Sequence, residues 1–135
     1  MPELAPFIDV EHALMDLFAD LVDDPADVVT VLPNDLQARL AVDRQVIRVR
    51  VIGGSDDRIS DHPRVDVEVF GATRAVAKPL AETIRQRLIS GGHRTAHGVI
   101  DHATTEVGPQ ETPYDDPDVR RWSATYRLST RRRRI

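Results

Sequence analysis

At 135 residues the chain has the length of one domain and can bury roughly two-thirds of the surface its unfolded form exposes, so a core needs no covalent staple. It contains no cysteine, which excludes a disulfide framework, a thiolate metal site and a cysteine nucleophile. The formal net charge of −4 includes four consecutive arginines at positions 131–134 and leaves −8 on the remainder, an acidic body with a basic end.

The opening MPELAPFIDVEH is acidic and lacks the apolar run of a signal peptide, and no stretch approaches the ~20 apolar residues of a membrane span. The expectation is a soluble protein made inside the cell, without a membrane partner. Lysine occurs once, at Lys78, while arginine, alanine, aspartate and valine abound. That bias reads as a high-GC coding source, so arginine number is weak evidence for nucleic-acid binding.

From Asp9 to Asp23 the chain reads as a helix. Val10, Ala13, Leu14, Leu17, Phe18, Leu21 and Val22 form one apolar stripe opposite an acidic face, and Asp9 fits the N-cap. Asp24-Pro25 stops it, Val28 to Leu32 reads as a short strand, and Pro33-Asn34-Asp35 as a turn. Leu36 to Asp43 has no clear period.

Arg44 to Ile52 alternates, with Ile47, Val49 and Val51 on one side and Arg48 and Arg50 on the other. Arg64 to Phe70 alternates in the same way: Val65, Val67 and Val69 against Asp66 and Glu68. Antiparallel pairing with Val49 opposite Val67 sets Arg48 against Glu68 and Arg50 against Asp66 on the outward face. Such pairs contribute roughly 0.2–1 kcal/mol each and help fix register. The connection from Gly53 to Pro63 is too long for a tight hairpin turn and is expected to be a mobile, projecting loop.

From Ala72 the period becomes helical, with Val76, Leu80, Ile84 and Leu88 in one stripe. Pro79 predicts a kink or a helix that begins near Lys78, and Gly91-Gly92 predicts its end. His97 to Val107 is a weaker strand, and Gly108 to Asp118, with three prolines, a second long loop. Trp122, Ala124, Tyr126 and Leu128 alternate with Arg121, Ser123, Thr125 and Arg127 in a final strand. The order α-β-β-β-α-β-β predicts an α+β domain over residues 1–130, one mainly antiparallel sheet of about five strands with both helices on one face. Residues 131–135 are expected to fray as a basic, disordered tail.

No chemical signature stands out. His93, His97 and His102 lie in a glycine-rich turn and an irregular strand, not at the i, i+4 spacing of a helical zinc pair. Asp66 and Glu68 resemble the acidic strand of some nucleases, but the expected lysine two positions on is Phe70. Gly53-Gly54 lacks a following Gly-Lys-Ser/Thr, and Asp115, Asp116 and Asp118 lack the spacing of a calcium loop. No catalytic residue, metal or cofactor is expected. The few aromatics argue against base stacking, so the arginine run is expected to be solvated or to meet an acidic neighbour, another copy of the body or a partner protein.

Five segments in order, DVEHALMDLFADLV, VVTVLP, VIRVRVIGG, RVDVEVFGATRAVAKPLAETI and VRRWSATYRLSTR, span Pro6 to Arg131. In that layout the chain resembles the tail terminator proteins of long-tailed, siphovirus-type bacteriophages, especially those of high-GC actinobacteria. The resemblance implies a small virion structural protein, made in the host cytoplasm, that forms a homo-hexameric ring on the head-proximal end of the tail tube. It implies that the ring stops tube polymerisation and offers the surface that joins the head.

Its partners would be copies of itself, the tail tube protein and a head–tail connector or stopper protein, with phage DNA close by in the lumen. Candidate inter-subunit contacts are Arg48, Arg50, Asp66, Glu68, Arg121 and Arg127. Candidate tube or connector contacts are Asp56, Asp57 and Arg58 in one loop and Asp115, Asp116 and Asp118 in the other. Another neck protein, such as a head-completion or stopper protein, is the nearer alternative, and a metal-dependent nuclease the remote one.

Overall fold

The computed structural model describes residues 3–133. Six strands form one sheet in the order β1-β2-β3-β6-β5-β4: β1 (Val28–Val29), β2 (Val46–Asp56), β3 (Ser60–Gly71), β4 (His93–Thr95), β5 (Gly98–Thr112) and β6 (Arg120–Arg131). All neighbours are antiparallel except β1, which runs parallel to β2. Three helices accompany it, α1 (Val10–Phe18), α2 (Leu36–Ala41) and α3 (Arg74–Ile89). The α+β class and the mainly antiparallel sheet follow the sequence reading, with one more strand and one more helix.

The expected register is present. Val49 lies opposite Val67, Arg48 opposite Glu68 and Arg50 opposite Asp66. Because side chains alternate along a strand, this pairing puts Ile47, Val49, Val65, Val67 and Val69 on one face. There they join Trp122, Ala124, Tyr126 and Leu128 of β6 in the main core. α1 contributes Val10, Ala13, Leu14 and Phe18, and α3 contributes Ala77, Leu80, Ala81, Ile84 and Leu88. Each fully buried side chain of this size, Phe18 for example, contributes about 1.5–3 kcal/mol. Asp9 caps α1 by accepting from the His12 amide at 3.2 Å.

Several expectations are corrected. The connection between β2 and β3 is not a long loop: both strands run on, and only 57–59 turn. A register shift between Val51 and Gly53 bends β2, and the Val51 amide donates to Glu11 Oε2 on α1 at 3.0 Å. Gly53 and Gly54 then continue the strand at φ near +130°, where a side chain is strained. At Gly54 a Cβ would meet the His62 carbonyl oxygen at 2.3 Å.

The second loop is also shorter, since β5 continues to Thr112. Leu36 to Ala41, without a legible period, is helical, and Leu36 and Leu40 bury against the sheet. α3 begins at Arg74 and runs through Pro79, which forfeits a single intrahelical bond to Ala75. A strand at His93–Thr95 precedes β5 and pairs with its start.

Nor does the arginine run fray over its described length. Arg131 ends β6 opposite Ser60, Arg132 forms a bridge with Phe7, and the Arg133 amide donates to the Pro6 carbonyl at 2.8 Å. The Arg132 guanidinium stacks 4.2 Å from the Phe7 ring centre and donates to the carbonyls of Ala5 and Arg58. The extended N-terminal segment gives it Phe7 and Ala5, and the hairpin tip gives it Arg58. Arg134 and Ile135 lie outside the described residues.

Candidate functional site

The sheet face opposite the main core is where the sequence put its charged pairs, and it is only partly outward. Val46 and Phe70 point to this side and carry a smaller core with Leu36 and Leu40 of α2 and Val119, joined by Val29, Leu32 and Tyr114. Phe70 and Tyr114 meet edge to face at 5.5 Å. α2 and the segment 113–119 therefore cover one end of the face.

Glu68, on the same side of the sheet as Phe70, is 3% exposed. Its Oε1 accepts from Arg48 Nε at 2.9 Å and Nη2 at 2.6 Å, with Arg50 Nη2 at 3.4 Å. Its Oε2 faces Arg121 Nη1 at 3.6 Å. Asp66 lies 3.7 Å from Arg50 and accepts from the Thr125 hydroxyl at 2.7 Å. Arg48 and Arg121 also lie over the Phe70 and Tyr114 rings. Three guanidinium groups and two carboxylates thus form one network, a buried charge held by several partners rather than a stripe of solvated pairs.

Five of the six candidate contact residues belong to this network and pair within the chain. Arg127 stands apart, exposed, with Thr104 and Arg64 opposite it on the neighbouring strands. Arg64 donates to Glu106 at 2.9 Å, and that bond, with charge from Arg64 and Arg127, holds the Glu106 carboxyl below its ordinary range.

The two candidate loops lie at opposite ends of the sheet, because Ser60 at the start of β3 pairs with Arg131 and Gly71 at its end pairs with Arg120. At the hairpin tip Asp57 Oδ1 accepts from the Ile59 and Ser60 amides, both at 2.7 Å. Those bonds, Ser60's first, lower its pKa. Asp56 is opposite Asp61, and the Arg58 carbonyl receives Arg132. In the other loop Asp116 accepts from Gln37 of α2 and from the Asp118 amide, while Asp115 and Asp118 are exposed.

One buried carboxylate escaped the sequence reading. Asp27 is 1% exposed and is held by Arg39 at 3.0 Å and Arg44 at 2.8 Å. Its signal was Asp27 followed by arginines in a segment without periodicity, which identifies no partner. Of the histidines, His93 meets the Leu88 carbonyl at 3.1 Å and His97 packs on His12 at 5.3 Å. Among the described residues no group of three or more His, Asp or Glu has the geometry to hold a metal ion. Burial pushes the Tyr126 phenol up to about 12, so it is a neutral core group.

An α+β chain with a charged network on one sheet face and loops at both sheet ends has the surfaces of an assembly component. The profile of the phage tail termination protein family matches residues 6–135, and the chain belongs to that family. It is a structural protein of the virion tail, associated with other virion proteins. Among curated proteins none is significantly similar. A chain in the structure of the virion of a native gene transfer agent particle has the same fold, with a TM-score of 0.57 at 16% identity, over 85% of this chain and 84% of that one. Among the described residues no helix is long and apolar enough to cross a membrane.

Proposed function

We propose that the chain assembles as a homo-hexameric ring on the head-proximal end of the tail tube, ends tube growth and presents the surface to which the head joins. The observation that carries this reading is the placement of the two polar loops at opposite ends of one sheet. A cap needs two unlike surfaces, one matching the tube's last subunits and one refusing a further tube subunit while accepting a connector. The hairpin tip with Asp56, Asp57 and Arg58 and the loop with Asp115, Asp116 and Asp118 supply two such ends on a stiff body.

Of the charged face, Arg50, with 45% of its side chain exposed, and Arg127 retain the reach to contact a neighbouring copy. Arg48, Asp66, Glu68 and Arg121 serve that contact by holding the surface in shape. Electron microscopy of tails made when the gene is disabled tests the reading. Overlong tubes without heads are expected. Tails of normal length beside filled, unjoined heads would assign the chain to neck completion, and intact virions would overturn a role in assembly.

A further inference from the structure

A concave site lies away from the charged network. It is a half-open cleft of about 600 Å³ between the N-terminal segment, the turn from β4 into β5 and the end of β6. Arg94, Arg131, Arg132 and Arg133 line it against Asp9 and Asp101, a net of +2 on a chain whose total is −4. Arg131 is tied to Asp101 at 3.0 Å and Arg132 is stacked on Phe7, so these two build the wall. Arg94 and Arg133 are exposed and form no ion pair among the described residues.

The opposite end of β6 carries the complement. Residues 111–120 hold Glu111, Asp115, Asp116 and Asp118 against Arg120 alone, a net of −3. Asp115 and Asp118 are exposed and form no ion pair among the described residues. The Tyr114 ring on Phe70 and the Asp116 bond to Gln37 hold this loop in place, so its exposed aspartates sit on a preformed element. Twelve residues of β6 at about 3.3 Å each put the cleft and the loop roughly 35 Å apart, too far to meet within one chain.

We infer that the cleft receives the 113–119 loop of a second copy, with Arg94 and Arg133 of one subunit paired to Asp115 and Asp118 of the next. The inference rests on the ring reading and names its junction, reassigning the 113–119 loop from the tube or connector to the neighbouring copy and leaving the hairpin tip at Asp56, Asp57 and Arg58 as the axial contact. Two different, complementary patches make a heterologous contact, the kind that closes into a ring. Ile8, Ala96 and Val99 give the cleft an apolar wall suited to Pro113 and Pro117 beside the aspartates. A nucleic-acid backbone fits less well: Asp9 and Asp101 would repel its phosphates, and among the lining residues His97 is the sole ring on which a base could stack.

The absence of cysteine makes a clean test possible. Asp115→Cys together with Arg133→Cys places two thiols at exposed positions that a single chain cannot bridge, since a disulfide needs Cα atoms within about 7 Å. Tails assembled with this variant are oxidised mildly and run on a non-reducing gel. A ladder of linked oligomers is expected, with none from either single-cysteine variant. The chain present in tails without a ladder overturns the junction and leaves the ring reading standing. Absence of the unsubstituted chain from tails overturns both. Salt-sensitive binding of a short DNA duplex, lost in R94E/R133E and accompanied by no ladder, would assign the cleft to nucleic acid instead.

Discussion

Arg48 and Glu68 face each other across β2 and β3, 2.6 Å apart, with the Glu68 side chain 4% exposed. The pair is a register pin on a surface that became an interior. Glu68→Gln removes the charge that three arginines share and leaves their guanidinium groups crowded together without it. Breaking a buried pair from one side costs about 3–5 kcal/mol, and the partial exposure of Arg50 and Arg121 points to about 3 kcal/mol here. Urea denaturation measures it. In a double-mutant cycle, Arg48→Met with Glu68→Leu is expected to cost less than the sum of the two single changes.

Asp27 makes a parallel case. Asp27→Asn leaves Arg39 and Arg44 facing a neutral amide in a nearly closed pocket, and a loss of about 2–3 kcal/mol is expected by the same urea measurement. A loss below 0.5 kcal/mol would mean that water already solvates the site.

The two glycines of the hairpin separate strain from collision. Gly53→Ala meets open space and costs only the backbone strain of a positive φ, about 1 kcal/mol. Gly54→Ala must also displace the His62 carbonyl and is expected to cost at least twice as much. Thermal unfolding of the two variants checks the ratio; equal effects would refute the collision.

Acid should loosen the hairpin tip before the sheet. Backbone amides hold the folded Asp57 carboxyl below its ordinary value of 3.8, so its contribution is present above that value and is lost as pH falls through the lower folded one. Burial, and then the charge of Asp56, push Asp61 the other way, so its protonation relieves the same hairpin. Amide exchange at Ile59 and Ser60, corrected for intrinsic rates and compared with β6, should accelerate below about pH 4. Asp57→Asn should abolish that step.

Arg132 ties the N-terminal segment, the hairpin tip and β6 together. Arg132→Ala is expected to cost roughly 1–2 kcal/mol and to raise hydrogen exchange at the Arg133 amide and along β6's last residues. Unchanged exchange there would show that strand pairing alone holds this end.

The β2–β3–β6 half of the fold was legible because two signals agreed: strict alternation, and opposite charges at matching positions of Arg48/Glu68 and Arg50/Asp66. The rest depended on contacts that leave no local trace. The six residues of α2 are too few to nucleate alone, and Leu36 and Leu40 become helical by burying against Val46 and Phe70. Glu68, on the same side of the sheet, is buried with three arginines around its carboxylate, so the candidate face was identified while its depth was not. Gly53 and Gly54 read as loop residues because glycine marks both flexible turns and strands that swerve at a bulge. The end of the chain read as a frayed tail because its partners, Pro6 and Phe7, lie at the far end of the sequence.

β6 also acts as a ruler. Its twelve residues join the arginine cleft to the acidic loop, and β3 and β5 grip it on either side. Adding one residue would turn Trp122 or Tyr126 out of the core, and adding two would lengthen the bar by about 7 Å only if both neighbours grew as well. The loops decide what each end touches. The strand decides how far apart the cleft and the loop stand, so in the proposed junction the spacing from one copy to the next is set by the part of the molecule least free to change.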